Sequence, residues 1–268
     1  MGRVILGLRR PRAALRTLGL EVSGVVDSVG SAVTRFRPGD EVFGFTGFAV
    51  GAHADFVRLP ATGSLLHKPE SLTFVEAAAA VDGATTALFF LRDKGKVGPG
   101  DRVLLNGASG SIGTYAVQLA KHLGATVTAV CGPTNVDLVK SLGADEVIDY
   151  TERDFTEDEN TYDIVFDTVT KSSFGACRRS LRPGGKYLPT TGLVNSFWAL
   201  WTAFRSKGVM VGMSVNKRAT LPLISSLLES GELRVVVDRV YPLADIAAAH
   251  RYVDAGHKRG NVVVTVAD

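Results

Sequence analysis

Near the middle of the chain, Gly107-Ala108-Ser109-Gly110-Ser111-Ile112-Gly113 places three glycines three residues apart with serines between them. Glycine lets the main chain turn tightly and approach a ligand closely. The free N–H groups of a helix that starts there face an anion. Such a stretch can cradle a pyrophosphate. Spacing alone is weak evidence, because an ordinary strand-to-helix turn has the same outline, so the flanks must decide. Upstream, Arg102–Asn106 is an apolar run of strand type. Downstream, Ser111–Leu123 has helical spacing, with apolar residues at 116, 117, 119 and 120. Strand, glycine turn and helix occur in the required order.

About 20 residues past such a turn, an acidic residue binds the ribose 2′-hydroxyl when NAD is the ligand. Here that point is Val130-Cys131-Gly132-Pro133-Thr134-Asn135, and the first acid is Asp137. A carboxylate would repel the additional phosphate of NADP, so its absence favours NADP(H) over NAD. Thr134 and Asn135 can donate hydrogen bonds, but no Arg or Lys lies in the loop.

The elements that position these residues alternate. Further strands are expected at Thr126–Cys131, Glu146–Asp149, Asp163–Asp167, Lys186–Pro189 and Val209–Met213, with helices at Val136–Leu142, Ser172–Leu181 and Phe197–Ser206. This period predicts βαβ units and an α/β, doubly wound parallel sheet with its ligand at the carboxyl ends of the strands. Residues 17–60 read differently. Short β-branched runs and turns, including Glu21–Gly30, Glu41–Phe45 and Gly51–Val57, suggest a small barrel or sandwich. Thr73 and Glu76 form a capping box at the start of a helical region that is interrupted at Asp82-Gly83 and stopped by Gly98-Pro99-Gly100-Asp101. A helix near 221–229, a strand at 233–240, a helix at 245–255 and a strand at 261–266 close the chain. The pattern does not say which lobe this tail joins.

Composition bounds the function. The 268 residues carry a net charge of +3, too small to indicate nucleic acid. No apolar run approaches the ~20 residues that span a bilayer. Two cysteines, Cys131 and Cys177, suggest a reducing compartment and a cytoplasmic location. The first sixteen residues hold five arginines and no acid. They read as a solvated basic surface or, less well, as a transit segment. His53, His67, His122, His250 and His257 have no metal-ligand spacing. Trp198, Trp201 and Phe204 share a helical face, which suits packing on the sheet, a substrate-pocket wall or a subunit contact.

Taken together, these stretches resemble the zinc-independent quinone oxidoreductase branch of the medium-chain dehydrogenase/reductase superfamily. The resemblance is carried by Gly19-Leu20-Glu21-x-x-Gly24, Arg37-Pro38-Gly39-Asp40, Gly51–Phe56, Asn106–Gly113, Leu142–Asp145, Ile148–Tyr150, Arg182–Gly185 and Gly256–Val263. It implies a Rossmann domain at 67–233 and a partial GroES-like β-rich catalytic lobe built from 1–66 and 234–268. It implies NADPH as cofactor, no zinc, an apolar electrophilic small-molecule substrate (a quinone, enone or alkenal), no nucleic-acid or membrane partner, and a homodimer pairing through Val209–Met213. It also implies cofactor contacts from Thr86, Ser109, Gly110, Ser111, Ile112, Gly113, Cys131, Thr134, Asn135, Tyr150, Thr191, Gly192 and Asn261. Zinc-dependent members have histidine where this chain has Leu20, which cannot ligate a metal. Relatives carry several strands before the Gly-x-Glu signature, and this chain has eighteen residues there. Missing strands would leave sheet edges uncovered, so a catalytically impaired NADPH-binding or scaffold protein is the second expectation.

Overall fold

The computed structural model describes residues 17–47, 50–169, 171–190, 193–202 and 206–266. The basic segment at 1–16, Phe204, Thr191 and Gly192 lie outside them. Eleven strands are formed among the described residues, and they fall into two compact units. The first comprises residues 1–82, 215–257 and 261–268, and the second 83–214 and 258–260.

In the second unit the apolar runs found in the sequence become β4 (Arg102–Asn106), β5 (Thr126–Cys131), β6 (Glu146–Asp149), β7 (Tyr162–Asp167), β8 (Leu181–Pro189) and β9 (Gly208–Val209). All pair in parallel, in the order β6-β5-β4-β7-β8-β9. Strand order reverses between β4 and β7, which makes the carboxyl ends of those two strands the topological switch point. Their central residues, Val103, Leu104, Leu105, Val165 and Phe166, are fully buried, as expected for a sheet covered on both faces.

Two helices of this unit matter for the site. One runs Asp82–Leu88 and continues as a π-helical turn, Phe89–Gly95; the other is Ser111–His122. Numbered in chain order after Phe74–Ala79 (α1), they are α2 and α3. The next are α4 (Val136–Ser141), α5 (Phe174–Cys177) and α6 (Leu193–Thr202). The helix expected at 172–181 shrinks to α5. Ser173 caps it, accepting from the Ala176 N–H at 3.2 Å, and the chain then enters β8 at Leu181. The strand expected at 209–213 pairs only at 208–209, because its register with β8 ends at Tyr187↔Val209. In α6, Trp198 packs into the core and lies 5.7 Å from Phe174. Trp201 meets Trp198 edge-on at 5.2 Å but is half-exposed, so the two tryptophans do different work.

The first unit holds an antiparallel sheet, β1 (Glu21–Val25), β2 (Glu41–Phe45) and β3 (Ser64–His67), and a parallel pair, β10 (Val237–Pro242) and β11 (Asn261–Thr265). Residues 51–57, expected as a strand, form none; Val50, just before them, takes a left-handed φ of 51° that breaks the extended run. The capping box at α1 is present: Thr73 N–H donates to Glu76 Oε2 at 2.9 Å and Glu76 N–H to Thr73 Oγ1 at 3.2 Å. The last two helices are α7 (Lys217–Glu229) and α8 (Ile246–Asp254). Ala77 and Val81 share a buried cluster with Phe43 of β2 and Leu221 of α7. That cluster is why the units part at 82/83 and 214/215 rather than at the boundaries of 66/67 and 233/234 read from the sequence. The helical run Phe74–Gly95 is apolar enough in composition to cross a bilayer. It is broken before Asp82, and Ala77, Val81, Leu88 and Leu91 are buried in protein.

His53 lies half-buried with its ring edge-on to His250, centroids 6.3 Å apart. Burial first, and then the charge of His250, hold its pKa below the ordinary 6.5. The folded state therefore binds fewer protons here than the unfolded chain. This contribution to stability is complete above pH 6.5 and is lost as pH falls through the lowered folded value. His53→Gln is expected to flatten the urea midpoint as pH falls below 6.5 relative to the parent chain.

Candidate functional site

The glycine stretch forms the turn between β4 and α3, at the switch point. Gly107 takes φ +83°, and a Cβ there would lie 2.5 Å from Val169 Cγ1 and 2.6 Å from Thr168 Oγ1. Its N–H and that of Ala108 both donate to Val130 O, at 3.2 and 3.0 Å, which ties the turn to β5. A Cβ at Gly113 would lie 2.1 Å from Gly107 O, so only glycine lets α3 start this close to the turn. Gly110 is different: its Cβ position is open except for Gly107 O at 3.4 Å. It occupies the N-cap of α3 without a capping side chain, and the first turn holds no acid. The result is a helix start whose first N–H groups have no capping side chain and whose positive dipole end has no acid beside it.

Two neighbours were not legible beforehand. Gly83 of α2 rests against Ser111, where a Cβ would come within 2.9 Å of Ser111 Oγ and 3.0 Å of the Tyr115 ring. Thr86, half-buried, lies one helical turn further along the same face. Gly260 N–H donates to Ser109 O at 2.8 Å, and Gly260 bridges to Gly110 as a parallel strand would. The sequence pointed to the next residue, Asn261. Asn261 begins β11 in the other unit, where its main-chain N–H and Nδ2 donate to Val236 O at 2.9 and 3.0 Å.

The second group sits at the carboxyl ends of β5 and β6, next to β4 in the sheet. Cys131 is buried; burial first and Asp149 second push its thiol up to about 11, so it is an inert wall residue. Thr134 and Asn135 lie in a 3₁₀ turn, Pro133–Asn135, with Thr134 exposed. The Tyr150 ring lies over Gly132, its hydroxyl 3.2 Å from where a Cβ would stand. Tyr150 N–H donates to Cys131 O at 3.2 Å. Asn135 Oδ1 is buried without a hydrogen-bond partner among the described residues. A buried orphan acceptor is costly, and a hydroxyl donor from a ligand would satisfy it. Arg153, three residues past Tyr150, is held by Glu146 at 3.0 Å and Asp158 at 2.5 Å. The structure thus brings residues 109–113, 131, 134, 135 and 150 to one edge of one sheet.

No group of three or more His, Cys, Asp or Glu among the described residues is arranged to hold a metal ion. With Leu20 in the Gly-x-Glu stretch, the donor set does not fit zinc.

Residues 142–264 match the zinc-binding dehydrogenase family, and residues 3–70 match the alcohol dehydrogenase GroES-like domain. The mitochondrial NAD(P)H oxidoreductase RTN4IP1 of Mus musculus is 34% identical over 279 residues, covering 93% of this chain and 70% of that protein. The chloroplast envelope quinone oxidoreductase homolog of Arabidopsis thaliana is 33% identical over 256 residues, covering 91% of this chain and 78% of that one. The chain belongs to the quinone oxidoreductase-like branch of the medium-chain dehydrogenase/reductase superfamily. It is an oxidoreductase of that branch. The quinone oxidoreductase from Coxiella burnetii superposes with a TM-score of 0.84 at 26% identity, over 98% of this chain and 82% of that one. The Rossmann sheet and GroES-like lobe of the family account for the strand order and for the separate β-rich unit.

Proposed function

We propose that this oxidoreductase uses NADPH to reduce a quinone or another conjugated carbonyl without a metal, and that it works in the reducing cytoplasm. The observation that carries the reading is the side-chain-free N-cap at Gly110, at the switch point of a 3-2-1-4-5-6 parallel sheet. The residues present fit a dinucleotide. The N–H groups at Ser111, Ile112 and Gly113 would receive the pyrophosphate, and Asn135 Oδ1 would accept from an adenosine ribose hydroxyl. Tyr150 and Thr134 would flank the adenosine, and the lack of a carboxylate at the end of β5 leaves room for a 2′-phosphate.

When bound, the nicotinamide supplies a hydride equivalent. The chain's task is to hold and orient the dinucleotide and to keep water away from it. A conjugated acceptor delocalises the incoming charge onto its own oxygen, so no nucleophile or Lewis acid is required of the protein. Relatives in this branch are named quinone oxidoreductases, which supports the substrate class. The buried free thiols of Cys131 and Cys177 suit a reducing compartment.

Calorimetric titration with NADPH and NADH, followed by NADPH oxidation with a quinone and with an unsaturated aldehyde, tests the reading. Binding of neither dinucleotide overturns it. Asn135→Asp is the sharper probe. A carboxylate at the orphan position should weaken NADPH by about tenfold through repulsion of the 2′-phosphate, and NADH by much less. Equal loss for both would mean that the phosphate does not lie at this loop.

A further inference from the structure

Asp167, at the carboxyl end of β7, is fully buried, and donors from several described residues converge on its carboxylate. Asn106 Nδ2 donates to Oδ1 at 3.1 Å, and the Val169 N–H reaches the same oxygen at 3.2 Å. The Tyr187 hydroxyl donates to Oδ2 at 2.8 Å and the Ser172 N–H at 3.3 Å. Burial first, and then the Asp167 charge, push the Tyr187 hydroxyl far above its ordinary range, so it remains a donor. A carboxylate out of water is tolerated only when hydrogen bonds replace its hydration, and this one is surrounded by them.

The donors belong to β4, β8 and the loop after β7, and that loop presses on the dinucleotide turn. Thr168 N–H and Oγ1 donate to Asn106 O at 3.0 and 2.8 Å, and Oγ1 also reaches Gly107 O at 3.2 Å. Thr168 and Val169 are the residues that leave no room for a side chain at Gly107. Thr190 N–H donates to Asp167 O at 3.1 Å, which adds the end of β8 to the same knot.

We propose that Asp167 is a positioning residue of the dinucleotide site. Its carboxylate ties the carboxyl ends of β4, β7 and β8 together and clamps the loop at 168–169 onto Gly107. The path of Gly107 in turn aims the N–H groups at the start of α3. In this proposal Asp167 acts through the turn and not by contact with the dinucleotide. The inference rests on the dinucleotide reading above for its ligand, but not for its structural half.

Asp167→Asn keeps the shape and replaces one acceptor oxygen with an amide donor, which must face either Asn106 and Val169 or Tyr187 and Ser172. NADPH fluorescence titration should show affinity falling by about tenfold or more. At saturating NADPH, kcat and the KM for the quinone should stay near those of the parent chain. Tyr187→Phe removes one donor, keeps the ring, and should give a smaller loss in the same direction. Leu181→Ala, a fully buried site at the other end of β8, is the control; it should lower the thermal midpoint without changing NADPH affinity.

Amide hydrogen exchange on the ligand-free protein gives a readout that needs no cofactor. Asp167→Asn should speed exchange at Gly107, Ala108 and Thr168 and leave Val127–Ala129 slow, and Leu181→Ala should not reproduce this pattern. Unchanged exchange at the turn together with parental NADPH affinity overturns the proposal. So does an equal loss of affinity in Leu181→Ala. If the parent chain binds neither dinucleotide, the functional reading falls, and the exchange pattern still decides whether Asp167 sets the turn. If Asp167→Asn does not fold, Tyr187→Phe under the same two measurements decides it.

Discussion

Gly110→Ala is expected to fold as well as the parent chain and to lose most of its NADPH affinity. Among the described residues the added methyl meets only Gly107 O at 3.4 Å, and the Gly110 backbone, at φ −81° and ψ −179°, is open to any residue. Stability should therefore stay within about 0.5 kcal/mol, since alanine is a poor N-cap but also restricts the unfolded chain. A pyrophosphate received by the first-turn N–H groups of α3 would pass close to Gly110, so by the proposed reading the methyl should weaken NADPH by more than about tenfold. Gly113→Ala is the contrasting case. Its methyl would lie 2.1 Å from Gly107 O and 2.7 Å from Ala108 C, main-chain atoms that cannot swing away. That change should cost about 3 kcal/mol of stability as well as the binding. Thermal unfolding and NADPH titration of both variants separate a ligand space from a packing contact. Parental affinity in Gly110→Ala would take this turn out of the ligand's path.

The second large effect concerns a buried lysine in the first unit. Lys217, at the start of α7, has a side chain only 1% exposed, and its Nζ sits 2.6 Å from Asp82 Oδ1 and 5.4 Å over the Phe45 ring. Asp82 itself is 43% exposed, and its N–H donates to Glu21 Oε1 at 2.6 Å. Asp82→Ala removes a carboxylate from beside a buried ammonium and should cost about 3 kcal/mol, the low end for breaking a buried pair because the aspartate keeps some water. Lys217→Met removes the charge, keeps much of the volume, and should change stability by less than about 1 kcal/mol. Urea denaturation of the two variants measures the asymmetry. Equal losses would show that the attraction itself, rather than the cost of burying the lysine charge, dominates here.

Much of the site could be read because its signal is local. Gly107, Gly110 and Gly113 are close in sequence, and the strand and helix that flank them have distinct periods. The lack of an acid at 130–135 was legible for the same reason. Asp167 was not, because an aspartate at a strand end looks like any turn residue until β4 and β8 are placed beside β7. Gly83 and Gly260 were missed likewise: one lies 28 residues before Ser111, and the other about 150 residues after Gly110. The short span of α5 and the loss of a strand at 51–57 have a different cause. There, a cap at Ser173 and a left-handed Val50 override a pattern that was only weakly periodic.

The sequence by itself determined the α/β class, the parallel sheet, the dinucleotide turn and the family. Each of these follows from hydrophobic period, glycine spacing or short motifs that act over a few residues. Only the tertiary structure decided where the units part, that a buried carboxylate holds the turn, that Gly260 touches it, and that Asn135 buries an acceptor with no partner among the described residues. Those facts depend on burial and on pairs distant in the chain. Local pattern carries no information about which polar groups lose water together, and that loss is what makes a hydrogen bond or a buried charge count.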